Sequence, residues 1–397
     1  MEQAGKPREQ KRINKARILR YAAARGQVTR SEIAVDLHLS VPTTMQHVRE
    51  LMAAGLLREE GEQASTGGRR AAALAIVPEA AYACGADITR SHLTMALVDA
   101  RRSLVAWERA RLPFANTTAY FADVERMLHV FLRKNGAASG GTRCGDAEMP
   151  AAETARQAAG GAPARPLVGI GFSLPGFVDR ERSVLRRSDV LGCANVSFQA
   201  LGERFGVPFS LENDASSAAY AEFHERRGNA VYLSLSGTVG GAFCDGGRLY
   251  EGDNAKSAEF GHMIIKKGGR RCYCGKRGCA DAYCNAELLQ RAGGGTLDGF
   301  FAALAAGEAG ARRVWSAYRD DLALTVGNLR VLFDCEICLG GYVGGYLAPY
   351  LPELAARVKR YDRLDGARDY LRTGRHTLEA SAYGAALPFI ERFWAEV

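Results

Sequence analysis

No run in this 397-residue chain approaches the roughly 20 consecutive apolar residues that a bilayer-crossing helix needs, so no membrane role is expected. The opening MEQAGKPREQKRINKAR is charged and lacks the apolar stretch of an export signal, which makes the cytoplasm the expected compartment. Without export, the ten cysteines are expected to stay thiols or to bind metal rather than to form a disulfide framework. Large apolar side chains are nearly missing between residues 136 and 165. That stretch of Ala, Gly, Thr, Arg and Pro cannot bury enough surface to order itself, and a disordered insertion is expected there.

What is present fills two to three domain units at about 150 residues each. The net charge of +8 is unevenly spread: residues 1–70 hold 13 Lys/Arg against 8 Asp/Glu. An excess of that kind draws a polyanion, although a solvated basic tail has the same signature. In this region Ile18, Leu19, Ala22 and Ala23 have helical spacing up to Gly26, and a short helix follows on Ile33, Ala34 and Leu37. Ser40 is placed to N-cap a third helix with Pro42 in its first turn and Met45, Val48, Leu51 and Met52 inward. A hairpin is expected next, through Leu57 and Arg58, the polar run to Gly67-Gly68-Arg69-Arg70, and the apolar Ala71–Val77.

Three short helices and a hairpin form a winged helix-turn-helix, which sets its third helix in the major groove of operator DNA. Thr43, Thr44, Gln46, His47 and Arg49 are expected on the outward side of that helix, where they can reach base edges or phosphates. Arg69 and Arg70 suit a wing tip entering the minor groove. A basic helical module for protein contacts is the alternative. From Tyr82 onward, short apolar runs (83–88, 93–99, 167–172, 230–235, 336–339) alternate with helical patterns (118–133, 215–226, 314–332), as in an α/β protein with buried strands. The expected division is a DNA-binding domain at 1–78 and a second domain at 79–397.

Cys272, Cys274 and Cys279 supply three thiols within eight residues, with Gly275 and Gly278 allowing the chain to fold back. Zn²⁺ prefers a tetrahedral set of S and N donors, and His262 lies ten residues upstream as a fourth ligand, with Cys284 as a substitute. Four protein ligands would close the site and make the zinc structural. Reduced thiols without metal are the plain alternative.

Glu259-Phe260-Gly261-His262 followed by Cys-x-Cys-Gly-x-x-Gly-Cys resembles the signature of the ROK family of repressors, open reading frames and sugar kinases. Ser173–Asp179, Leu211–Ala215, Ser236–Gly241 and Leu339-Gly340-Gly341 match as well, and Asn14, Ile18, Leu19, Arg30 and the Gly-Gly-Arg wing fit the repressor branch. The resemblance implies a winged helix-turn-helix followed by a two-lobed actin-like kinase fold, and a homodimer or higher homo-oligomer. It also implies sugar contacts from Asn213, Asp214, Glu259, His262 and Asp281, the last standing where the family has Glu. The phosphate loop departs from the family: Asp87-Ile88-Thr89-Arg90-Ser91 replaces Asp-x-Gly-Gly-Thr, so side chains stand where glycines admit phosphates. The expectation is therefore a sugar-sensing repressor of carbohydrate metabolism, not an enzyme. The alternative is an ATP-dependent sugar kinase with Asp214 as general base.

Overall fold

A computed structural model of the chain describes residues 6–63, 71–138, 165–361 and 370–397. The expected insertion at 136–165 lies, apart from its edges, outside the described residues, as do Arg69 and Arg70.

Three helices open the chain: α1 (Lys6–Arg25), α2 (Arg30–Asp36) and α3 (Val41–Ala53). Thr29 and Glu32 form a reciprocal capping box on α2, satisfying two backbone N–H groups that the helix start would leave unpaired. Ser40 accepts from Thr43 N and caps α3, with Pro42 in the first turn, where a missing N–H costs nothing. Antiparallel β1 (Leu57–Gln63) and β2 (Ala71–Ile76) make the wing.

Two lobes follow, and each repeats one scheme of an antiparallel meander extended by parallel strands. In lobe I the meander is β3 (Tyr82–Ile88), β4 (His92–Asp99) and β5 (Leu104–Arg111), and α4 (Thr118–Lys134) covers one face. Parallel β6 (Arg165–Leu174) and β7 (Phe209–Asn213) complete the order β7-β6-β3-β4-β5. Helix α5 (Asp214–Phe223) then leads to lobe II, whose meander begins with β8 (Ala230–Leu235) and β9 (Val239–Asp245). The long α6 (Ala309–Phe333) precedes parallel β10 (Glu336–Gly340) and β11 (Leu371–Thr373).

The last helix, α7 (Ala380–Glu396), returns to lobe I. It lies against β3 so closely that a Cβ at Gly85 would sit 1.7 Å from Ala382 O, and against α5 so closely that one at Gly384 would sit 1.7 Å from Ser217 O. Its other side joins the winged helix: Ile18, Leu19, Val48, Leu51 and Leu74 share one buried cluster with Ala83, Ala96, Leu387, Ile390 and Trp394. The winged-helix module and lobe I therefore have a continuous apolar core.

The face that α3 buries differs from the expected one. Thr44 and His47 are only 1% and 5% exposed, while Met45 is 42% exposed. Val48 and Leu51 fix the rotation of the helix, and the inward row at that rotation is Thr44, His47, Val48 and Leu51. Thr44 and His47 are thus corrected from outward, DNA-facing positions to inward ones. Burial holds the His47 imidazole below its ordinary pKa, with Lys11, Lys15 and Glu50 as its charged neighbours. Gln46 and Arg49 do face outward, and Thr43 is half-buried at the first turn.

Candidate sugar cleft and metal centre

The cleft between the lobes collects carboxylates. Asp87 ends β3 and accepts a hydrogen bond from Ser173 Oγ at 2.8 Å. Asp214 begins α5 and accepts from Ala215 N at 2.9 Å. Glu259 is brought in from lobe II by the short turn Phe260–His262. Burial raises all three, and the Asp214 charge raises both Asp87 and Glu259 further. Asp87 is pushed up to about 7. Three carboxyl groups close enough to feel one another's charge offer acceptors, and donors where protonated, that suit the hydroxyls of a sugar.

Asn213 caps α5, its Oδ1 accepting from Ser216 N at 3.0 Å and its Nδ2 donating to Gly176 O at 3.1 Å. One lone pair and one N–H of the amide are left for a ligand. Asp281 is braced instead. Its Oδ1 accepts from Val239 N at 2.7 Å and its Oδ2 lies 3.9 Å from Cys272 Sγ, so it clamps the Cys loop to the start of β9.

The Asp87 carboxyl predicts a pH-dependent stability. An unfolded Asp titrates at 3.8, so between 3.8 and about 7 the folded chain holds a proton that the unfolded chain has released. This group's contribution therefore destabilises the fold increasingly as pH rises through that window. Asp87→Asn keeps an acceptor for Ser173 and removes the penalty. Its gain in Tm by thermal denaturation should be larger near about pH 8 than near about pH 5; equal gains would contradict the assignment.

Beside the cleft, His262, Cys272, Cys274 and Cys279 bring their ligand atoms within 4.8 Å of one another. Cys274 Sγ and Cys279 Sγ are 3.8 Å apart, and Cys272 Sγ lies 3.8 Å from His262 Nδ1. A tetrahedron with Zn–S arms of about 2.3 Å has edges of about 3.8 Å, so the donor set and its spacing fit a metal of that kind. The loop is shaped by glycine: Gly275 turns at φ 89°, and Gly278, at φ 88°, passes so close to Lys266 O that a Cβ would lie 1.8 Å away. Cys284 is not in the cluster; its thiol is buried beside Thr325. The second ring nitrogen, His262 Nε2, lies 3.2 Å from Tyr273 Oη and 3.9 Å from Glu259 Oε2, toward the carboxylates.

The first phosphate loop is a closed hairpin. Thr89 N donates to His92 O and Thr89 Oγ1 accepts from His92 N, leaving Arg90 and Ser91 exposed at the tip. In the second loop a Cβ at Gly241 would meet the Phe260 ring at 2.3 Å, and one at Gly240 would meet Ala215 Cβ at 3.0 Å. Those two glycines are needed for the close fit of β9 against α5 and the Glu259 turn.

Arg109 was not singled out from the sequence. Strand register aligns Arg109, Thr94, Asp87, Ser173 and Glu212 in one row across lobe I. The Arg109 guanidinium donates to Tyr342 Oη at 3.1 Å and lies 4.9 Å over that ring, bridging to lobe II. No local motif signals this; it follows only once the strands are paired.

A winged helix-turn-helix joined to a two-lobed sugar-kinase-type fold is the class these features define. The ROK family model matches residues 155–391, and a model described as winged helix-turn-helix DNA-binding matches residues 12–58. The chain belongs to the ROK family. It is 27% identical over 286 residues to the xylose repressor of Bacillus spizizenii, across 70% of this chain and 67% of that one. It is 26% identical over 291 residues to the DNA-binding transcriptional dual regulator NagC of Escherichia coli, across 71% of this chain and 64% of that one. The matched region thus spans about two thirds of either relative. The crystal structure of a ROK family transcriptional regulator, a homologue of the E. coli MLC protein, superposes with a TM-score of 0.70 over 98% of this chain and 97% of that one. At 18% identity that likeness speaks for the fold.

Among the described residues, no helix is long and apolar enough to cross a membrane.

Proposed function

We propose that this protein is a DNA-binding transcriptional regulator of carbohydrate metabolism, a repressor, whose interlobe cleft binds a sugar or sugar derivative and which performs no phosphoryl transfer. The observation that carries the proposal is the joining of cleft to winged helix by α7. At its start Ser381 Oγ donates to Asp214 O at 3.1 Å. At its end Ala395 O accepts from Arg12 at 2.9 Å and Val397 O from Lys15 at 3.3 Å, both on α1. A helix held at one end by the α5 start and at the other by the DNA-binding module conveys a change in lobe closure to the spacing of two winged helices in a homodimer or higher homo-oligomer.

In this reading Asn213, Asp214, Glu259 and His262 hold sugar hydroxyls, and Asp281 ties the Cys loop that follows His262 to the start of β9. His262, Cys272, Cys274 and Cys279 would hold a structural zinc, which fixes the imidazole so that Nε2 faces the ligand. Outward Gln46 and Arg49, with Thr43 at the helix start, meet operator DNA. The closed Thr89 hairpin and the glycines committed to β9 support a cleft that takes sugar without nucleotide.

Operator affinity measured with and without a panel of sugars and sugar phosphates tests the proposal. One member should change affinity by roughly 5- to 150-fold, the usual span of allosteric coupling. ATP consumption that depends on both sugar and Asp214 would instead establish the kinase reading.

A further inference from the structure

The outward sector of α3 is not uniformly polar. Val41 is 65% exposed and Met45 is 42% exposed, four residues apart on the side where Arg49 continues the same stripe. They border an open groove of about 310 Å³, also lined by Arg30, Ser31, Thr44 and Ala72. Two exposed apolar side chains at the start of the third helix of a winged helix-turn-helix need an occupant. The surroundings indicate which: Arg49 has no ion pair among the described residues, and the first 70 residues carry an excess of positive charge. An apolar protein partner would leave that charge unmatched, whereas a duplex supplies phosphates beside apolar groups, because thymine carries its C5 methyl into the major groove.

We infer that Val41 and Met45 read thymine C5 methyl groups, and so make thymine a required base in each operator half-site. This rests on the DNA-binding reading above and extends it to base specificity. Four residues of helix advance about 6 Å, and base pairs are stacked about 3.4 Å apart along each strand. The two side chains therefore meet methyls on base pairs one or two steps apart. Gln46, on the neighbouring side of the stripe, has the amide that pairs with adenine once it leaves its 3.2 Å contact with Glu50.

The test needs no knowledge of the operator in advance. Random duplexes are enriched on the full-length protein, and each thymine of the consensus is replaced in turn by deoxyuridine, which removes only the methyl. Binding to wild type should weaken about fourfold at each of two positions one or two steps apart, the value of one buried methyl-sized group. Met45→Ala should lose the response at one of them and Val41→Ala at the other. Both residues are exposed, so folding is not at stake, and the wild-type measurement stands without either variant. Enrichment of a consensus indifferent to deoxyuridine overturns the inference and leaves the regulator reading intact. Enrichment of no duplex at low salt overturns the regulator reading, and the inference with it.

Discussion

Cys272→Ser is expected to release the metal and, with it, sugar binding, while operator binding survives. The loop from Met263 to Ala280 has few apolar anchors. Its backbone is held by the isolated bridges Ile264–Cys279 and Arg271–Arg277 and by turn and cross-loop bonds such as Gly278 N to Arg270 O and Ala280 N to Met263 O, both at 2.8 Å. Those bonds hold the backbone and not the ring of His262, which four ligands on one ion would fix. His262 Nε2 lies 3.9 Å from Glu259 Oε2, so a ring that swings free takes away the neighbour of that carboxylate. Elemental analysis should fall from one metal per chain to none. Calorimetric titration should show sugar affinity lower by on the order of 100-fold, as for other losses of ligand orientation around a metal. Operator affinity without sugar should stay within about threefold, because the winged-helix core of Ile18, Leu19, Val48 and Leu51 lies in a different cluster from the Cys loop. Wild-type sugar affinity in the variant would remove the metal from the account.

The second large effect is expected at Arg102, which no motif marks. This residue sits in the β4–β5 turn at φ 64° and is 6% exposed. Its guanidinium donates to Glu391 at 2.9 Å and to Glu225 at 2.5 Å and stacks on Trp394. Its carbonyl accepts from Tyr383 Oη at 2.6 Å, and Glu391 also receives Arg20 of α1 at 2.7 Å. One buried cation thus holds lobe I, the segment after α5, α7 and, through Glu391, the DNA-binding module. Arg102→Ala leaves Glu391 paired with Arg20 and Glu225 open to solvent, so the cost is that of lost charge-assisted hydrogen bonds, about 1.5–3 kcal/mol each, and of the guanidinium's packing on Trp394. Arg102→Ala should therefore lower Tm sharply in thermal denaturation. Glu391→Gln removes the charge and keeps one acceptor oxygen, enough for one of the two arginines, so it loosens the link between Arg102 and Arg20 more gently than removal of the buried guanidinium. Sugar and operator should each still bind, but the effect of one on the other should shrink severalfold. Full coupling in Glu391→Gln would mean that the signal takes another route.

Much of this architecture was legible in local chemistry. Ser40 and Pro42 announce a helix start because capping depends on neighbours in sequence, and Cys272, Cys274 and Cys279 announce a metal loop because the spacing is itself the geometry. Met45 misled because a single apolar residue at helical spacing reads as core, whereas the rotation of α3 is fixed by Val48 and Leu51 jointly, with Thr44 and His47 taken inward. Arg109 and Arg102 stayed hidden for a different reason. One reaches the cleft through the register of β4 with β5, and the other finds Glu225 and Glu391 from 123 and 289 residues away. Asp281 falls between these cases: its place beside the last cysteine was evident, but its bond to Val239 N exists only after the Cys loop folds onto β9.

The most direct measurement closes a thermodynamic cycle: the dissociation constant of the sugar with and without saturating operator, and that of the operator with and without saturating sugar, in one buffer. Linkage requires the two ratios to be equal, and the account predicts a common factor clearly different from one. Ratios of one on both sides, with sugar and DNA each bound, would mean that the cleft does not govern the DNA-reading helices, and the central claim would be wrong.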